Sequence, residues 1–311
     1  MMTLNIQLVP PERREVALRL LFSRFPAEEQ PTRLEDALKS AERGGLNFEG
    51  LLLAEENDHP VGVALLMLQA DGMALVWPPV ISCQASLPAE VERALMSRLC
   101  LEIDRSESKF AQCLLNPEDV NEAELLKHHG FSHAADIFFL ARPVKAEDRD
   151  LRSTDDGIER DVFCEANQDQ FAAVIERTYQ ASLDCPFLKD FRNGNEALAS
   201  HRLSGQFNPS EWKLYRQGEQ GVGTLLMNEH PDQDAMELTY FGIVPEFRGR
   251  GLGRKILIDA VRAAAIAGRS VIFLAVDCGN TYANALYNEF GFAELARRRV
   301  MIRSSGPVAR E

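Results

Sequence analysis

Three pairs of short segments recur at one offset, 161 residues: Val61-Gly62 with Val222-Gly223, Gly130-Phe131 with Gly291-Phe292, and the apolar run Phe138 to Ala141 with Arg299 to Ile302. A repeat of that length is longer than any solenoid unit and about the length of a domain, so the chain reads as one fold written twice. Its 311 residues agree, at roughly 150 per domain. The junction is expected in the polar run from Lys145-Ala146-Glu147-Asp148-Arg149-Asp150 to Asp155-Asp156-Gly157, which has no apolar periodicity. The expected domains are therefore 1–148 and 149–311.

The second copy is the more readable. Gln168 to Ser182 and Asn195 to Leu203 carry apolar residues at helical spacing behind Asn or Asp caps. Short β-prone runs follow at Trp212 to Tyr215, Gly221 to Met227 and Met236 to Val244, separated by turn-rich segments. A helix over Gly253 to Ala267, a buried strand over Ser270 to Val276, a helix over Asn280 to Phe290 and a strand over Ala296 to Ile302 complete an ααβββαβαβ order. The first copy shows the same order, with helices near Glu12 to Phe25 and Arg33 to Arg43 and strands at Leu51, Val61 and Met73. The fold class is α/β (α+β), two tandem domains, each a mixed and mostly antiparallel sheet flanked by helices.

Composition narrows the partners. Apolar residues are 45% and charged residues 26% of the chain, an ordinary globular balance, and the formal charge is -13. A general electrostatic grip on nucleic acid or anionic lipid is thereby disfavoured, and an anionic ligand needs a local site. No apolar stretch approaches the ~20 residues of a membrane helix, and no signal-peptide hydrophobic region is expected behind Pro10-Pro11. Six cysteines without Cys-x-x-Cys spacing fit a reducing compartment and a cytoplasmic protein, with no metal centre.

That local site is legible between the strand ending at Val244 and the next helix, where Arg248-Gly249-Arg250-Gly251-Leu252-Gly253 is followed by Arg254-Lys255. Glycines ahead of a helix let backbone N–H groups reach phosphate oxygens unobstructed, and the helix N-terminus adds ~+0.5 of a charge. A P-loop reading fails because Gly253-Arg254-Lys255-Ile256 supplies no hydroxyl. A dinucleotide reading gains from Asp277 as a ribose acceptor but loses on the glycine spacing and on three strands without crossover helices.

Ile243-Val244-Pro245 followed by Arg248-x-x-Gly251-x-Gly253 resembles the acetyl-CoA pyrophosphate loop of the GNAT superfamily of N-acetyltransferases. Asn280-x-x-Ala283-x-x-Leu286-Tyr287-x-x-x-Gly291-Phe292 resembles that superfamily's second motif. The resemblance covers most of residues 158 to 304. It implies a tandem acyl-CoA N-acyltransferase fold and acetyl-CoA as cosubstrate. The pantetheine arm would pair with Phe241, Gly242, Ile243 and Val244, and Gly242 also marks a bulge or a close backbone approach. Arg248 to Arg254, with Asn280 and Ala283, would hold the cofactor. Glu237 is implied as the base that takes the acceptor's proton, and Tyr287 as the acid that protonates the departing thiolate. Glu237 could equally be a solvated edge residue, Tyr287 a core tyrosine and Asn280 only a helix cap. Tyr179 and Asp184, in the segment joining the first two helices, are candidates for binding an amine acceptor, small molecule or protein; Asp184 could instead cap a turn. Cys278 is expected to be a structural thiol, which favours direct attack in a ternary complex.

At the offset of 161, Arg248, Gly251 and Gly253 correspond to Leu87, Glu90 and Glu92, and Tyr287 to Leu126; strand alignment sets Ala74 opposite Glu237. Residues 1–150 hold 15 basic and 25 acidic side chains, and residues 151–311 hold 19 and 22. A degenerate first copy before an intact second is similar in arrangement to the mycothiol synthases, a likeness that does not identify the acceptor. Two further functions stay open: a CoA-binding sensor without catalysis, which needs neither Glu237 nor Tyr287, and a dinucleotide-dependent enzyme.

Overall fold

The computed structural model describes residues 4–42, 46–69, 72–152 and 157–304; Arg43 and residues 153–156 of the expected junction lie outside them. The chain resolves into two compact units, Met1–His133 with Val300–Glu311 and Ala134–Arg299. The elements run β1 (Leu4–Leu8), α1 (Arg14–Phe22), α2 (Gln30–Glu42), β2 (Gly50–Glu56), β3 (His59–Leu68), β4 (Met73–Ile81), α3 (Pro88–Arg105), β5 (Phe110–Leu115), α4 (Val120–His128) and β6 (Ser132–Pro143). Then come β7 (Glu159–Val162), α5 (Gln168–Tyr179), α6 (Gly194–Arg202), β8 (Gln206–Phe207), β9 (Lys213–Gln217), β10 (Gln220–His230), β11 (Ala235–Ile243), α7 (Leu252–Ile266), β12 (Val271–Asp277), α8 (Thr281–Glu289) and β13 (Ala293–Ser304).

In each unit a short first strand precedes the two helices, which the ααβββαβαβ order lacks. β1 (LNIQL) pairs with β2 and β7 (ERDV) with β9. Their mostly exposed residues give no clean alternation to read.

The division at 148/149 needs one correction. β6, the last strand of the first half by sequence, pairs antiparallel with β12 over Ile137–Pro143 and Val271–Asp277. Met301, from the last strand of the chain, is fully buried among Val91, Leu95, Leu99 and Phe131 of the first unit. The closing strands are exchanged. Both carry the same apolar pattern at the same offset, so either sequence suits either sheet, and periodicity cannot tell them apart. In the second unit, Arg142 at the end of β6 is held by a two-pronged ion pair with Asp148, Nη1–Oδ2 at 2.8 Å and Nη2–Oδ1 at 2.7 Å.

The second unit's core joins both faces of its sheet. Phe171 and Ile175 of α5 bury one face, while Ile256, Leu257, Ala260 and Ala264 of α7 bury the other. α7 is further tied down through Asp259, which accepts from Arg160 Nε at 2.6 Å and Tyr215 Oη at 2.9 Å.

The feature that positions chemistry lies in β11. Its parallel pairing with β12 covers only Ala235–Glu237 against Val271–Phe273, so the two strands separate beyond Glu237. On the other side its register against β10 slips: Leu226 faces Tyr240 but Met227 faces Leu238, leaving Thr239 as an extra residue. This bulge shifts the alternation of faces by one. Glu237 before it, and Tyr240 and Gly242 after it, turn toward the α5–α6 side, where they meet Ser204 and Thr178. Phe241 and Ile243 turn toward α7, within 3.5 Å of the position a Cβ on Gly253 would take.

Candidate functional site

The glycine loop has the conformation its sequence implies. Gly249 and Gly251 have φ of +72° and +81°, a left-handed backbone that a Cβ would strain, and nothing lies within 4 Å of where a Cβ would project. Gly251 is the N-cap of α7 and makes no side-chain cap. Among the described residues, no backbone carbonyl outside a helix or strand accepts from the N–H groups of residues 249 to 253. Five donors at the N-terminus of a 15-residue helix form an anion-binding nest. Their chemistry fits a pyrophosphate.

The cations around that nest also have partners within the protein, Arg248 among them. Its guanidinium donates to the carbonyls of Ile243 (3.0 Å), Ala181 (2.9 Å) and Thr178 (2.7 Å), so it clamps the end of α5 to the end of β11. Arg250 lies over the Phe247 ring at 5.0 Å, and Arg254 pairs with Glu289. Gly242 is explained by close approach: a Cβ there would lie 2.8 Å from Thr178 Oγ1. Val244 is fully buried and its N–H donates to Val222 O, so it anchors the loop's entry.

At the opposite end of the splay, Glu237 is about one-fifth exposed and accepts from Ser204 Oγ at 2.5 Å. On α8, Tyr287 is buried and packs its ring against Phe292 at 5.6 Å, and burial pushes its pKa up. Its hydroxyl has no hydrogen-bond partner among the described residues. Asn280 caps α8, its Oδ1 accepting from the Ala283 N–H at 3.2 Å, which occupies both the carbonyl oxygen of Asn280 and the backbone donor of Ala283. Asn284, which the sequence reading missed, donates to the carbonyls of Asp277 and Cys278 and ties α8 to the end of β12.

The α5–α6 segment gathers Tyr179, Asp184 and two unanticipated residues, Arg192 and His201. Asp184 Oδ1 accepts from the Asp277 N–H at 2.8 Å, and Asp277 Oδ2 accepts from the Cys185 N–H at 3.1 Å. Asp184 keeps an exposed edge, yet protein crowds its carboxyl. That crowding, with the Asp277 carboxylate beside it, raises its pKa in spite of the Asp277 N–H and Arg192. Tyr179 packs edge-on to Tyr240 at 6.3 Å, and His201 lies 5.3 Å from the same ring. Tyr179 Oη, His201 Nε2 and Thr239 Oγ1 are buried with no hydrogen-bond partner of normal geometry. Burial pushes the thiols of Cys185 and Cys278 up, the opposite of an activated nucleophile. No group of His, Cys, Asp and Glu among the described residues is arranged to hold a metal ion.

Among its described residues the first unit lacks the glycine nest. α3 begins at Pro88 behind the N-cap Leu87, so Leu87 is the structural counterpart of Gly251, not of Arg248. The constant offset fails here because the first unit's loop is shorter. The counterpart of Glu237 also moves by one. Leu75 pairs with Met67 and Gln112 where Glu237 pairs with Asn228 and Phe273, which sets Leu75 rather than Ala74 at that place. The turn between β10 and β11 is one residue longer than that between β3 and β4, with Leu68 paired to Ala74 where Glu229 pairs with Met236, so the two methionines are not equivalent.

Residues 175–292 match the Acetyltransferase (GNAT) family. Among curated proteins, the mycothiol acetyltransferase of Jonesia denitrificans is 26% identical over 180 residues, a match spanning 57% of this chain and 53% of that protein. This chain therefore aligns with about half the length of that relative. Among solved structures, a GCN5-related N-acetyltransferase from Sphaerobacter thermophilus superposes with a TM-score of 0.66 at 16% identity, covering 98% of this chain and 96% of that one. A tandem GNAT protein from the clavulanic acid biosynthesis pathway gives 0.58 at 11% identity, covering 98% and 99%. These structural likenesses speak for the fold over both units.

Proposed function

We propose that the second unit, whose residues 175–292 match the GNAT acetyltransferase family, moves an acetyl group from acetyl-CoA to a primary amine by direct attack in a ternary complex. The observation that carries the reading is the geometry of β11. It parts from β12 after Glu237, turns Glu237 to the α5–α6 face through the Thr239 bulge, and ends in the donor nest before α7.

In this reading the N–H groups of Gly249 to Gly253 hold the pyrophosphate, and the open edge of β11 from Phe241 to Ile243 pairs with the amides of pantetheine, while Val244, whose backbone groups bond Val222 and Phe247, anchors its end. An alkylammonium has a pKa of ~10.4, so the acceptor must lose a proton near neutral pH, and Glu237 takes it. The freed nitrogen lone pair forms the new C–N bond as the C–S bond breaks, and the Tyr287 hydroxyl gives its proton to the thiolate. Burial pushes the Tyr287 pKa up, so its hydroxyl carries a proton near neutral pH but is a weaker acid than an exposed tyrosine. Asp184 and Tyr179 meet the acceptor, small molecule or protein. The first unit serves packing rather than catalysis. Six thiols, none disulfide-bonded, suit a reducing, cytoplasmic setting; no helix among the described residues is long and apolar enough to cross a membrane.

One observation favours a CoA-binding protein without catalysis: Tyr287 is packed as a core residue. The dinucleotide alternative is weakened because both oxygens of Asp277 accept from backbone N–H groups, those of Cys185 and Gly279. Calorimetry of acetyl-CoA against NAD and NADP, followed by an amine panel scored by release of free CoA thiol, tests all three. Acetyl-CoA binding with thiol release is expected. Binding without release from any amine would favour the sensor.

A further inference from the structure

Two side chains remote in sequence from Glu237 converge on one of its oxygens. Ser204, two residues beyond α6, donates from Oγ to Oε2 at 2.5 Å. His230, the last residue of β10, has Nε2 at 2.8 Å from the same atom. A carboxylate oxygen carries no hydrogen, so Nε2 is the donor. Among the described residues, no group bonds Oε1.

The space around this contact is built for it. Gly205 has φ of +73°, and a Cβ there would lie 2.6 Å from His230 Nε2, so the position takes only glycine on both grounds. Phe273, directly across from Glu237 in the β11–β12 register, fixes the imidazole edge-on at 5.2 Å. Ser204 is held in turn by the fully buried Asn228, whose Nδ2 donates to the carbonyls of Ser204 and His201 while its Oδ1 accepts from Trp212 Nε1 at 3.0 Å. Asn228 is also the cross-strand neighbour of Glu237. The first unit has the same strands without the device: Leu75 stands for Glu237, and Gln69 stands for His230 at the repeat offset. A contact needed only to hold the fold would be expected in both.

We propose that His230 and Ser204 are positioning residues for the acceptor's proton. Together they saturate Oε2, fix the plane of the carboxylate, and leave Oε1 as the one oxygen free to bond the acceptor ammonium. The N–H bond of the ammonium breaks as an O–H bond forms at Oε1, and the nitrogen keeps the electron pair that attacks the thioester. This inference rests on Glu237 being the base. Holding a reacting group in one geometry is worth large factors in rate, and a carboxylate free to rotate loses part of them.

A double-mutant cycle on the full chain tests it, with kcat, acceptor KM, acetyl-CoA affinity and thermal midpoint as readouts. His230→Phe should lower kcat about tenfold with acceptor KM and acetyl-CoA affinity within about twofold, and His230→Gln, which keeps a donor, should recover most of the loss. In the Glu237→Gln background, His230→Phe should change the rate by less than about twofold, because it acts only through that carboxylate. Should His230→Phe fail to fold, Ser204→Ala carries the same expectation at about threefold. An unchanged kcat in His230→Phe, or an equal drop with and without Glu237, overturns the proposal. Wild-type rates in Glu237→Gln would instead overturn the base assignment and take this inference with it.

Discussion

The two units fill the same corner in different ways. Trp77 of the first unit faces Leu65 across the β3–β4 ladder as Tyr240 of the second faces Leu226 across β10–β11. Around Trp77, Phe22 and Phe25 pack edge-on or tilted at 6.2 to 6.3 Å between centroids. Around Tyr240 stand Tyr179 and His201, with polar atoms buried and unpartnered. Each such atom costs roughly 1–3 kcal/mol against an apolar group of similar shape. At this corner the first unit places aromatic rings instead. A unit that binds something polar recovers it when the ligand arrives.

The contrast breaks first at the base. Glu237→Gln should lower kcat by about a hundredfold or more, as expected for removing a general base, with the deficit largest at low pH where free amine is scarce. Steady-state rates on an acceptor found by the amine panel check this, and wild-type turnover in the variant would erase the asymmetry between the units. The donor nest comes next. Gly251→Val forces a Cβ onto a left-handed backbone and should weaken acetyl-CoA binding at least tenfold, whereas Leu87→Ala at the matching N-cap should leave it unchanged. Titration calorimetry should give one site per chain, and two equivalent sites would contradict the comparison.

A smaller effect is expected at α8. Tyr287→Phe should reduce kcat by about tenfold with little change in acetyl-CoA affinity, since the hydroxyl acts only as the thiolate departs. Stopped-flow detection of thiol release beside calorimetry separates the two. The smallest effect is on stability. Burial, then the Arg192 charge, hold the His201 imidazole at about 3, well below its ordinary 6.5. The unfolded chain takes up that proton before the folded one does. Stability is therefore fully present above about pH 6.5 and lost as pH falls toward about 3. The thermal midpoint of the wild type should drop more steeply over that range than that of His201→Phe, by a few degrees.

What was legible in the chain was local. Gly130 and Gly291, matched by the repeat, both sit at positive φ, +84° and +82°, ending equivalent helices. The left-handed glycines of the loop followed from their place between a strand and a helix. What could not be read depended on pairing between distant segments. The bulge at Thr239, which sets the face on which Glu237 stands, exists only in register with β10. Ser204 and His230 meet Glu237 across 33 and 7 residues, with no spacing that marks them. That the Arg248 guanidinium reaches three carbonyls is likewise invisible in composition, because they come from α5, the segment after it and β11.

The exchanged closing strands set a timetable for synthesis. A ribosome releases the chain from its N-terminus, and the first unit reaches His133 while its last strand, which includes Val300, has yet to be made. At roughly 5–20 residues per second the delay is on the order of ten seconds or more. Through that interval β5, whose neighbours in the sheet are β4 and β13, presents an unpaired edge. In the second unit β12 meets its partner at once, since β6 is already outside when β12 emerges. β5 of the first unit therefore stays open to aggregation far longer than β12 of the second, although both units take residues from β13.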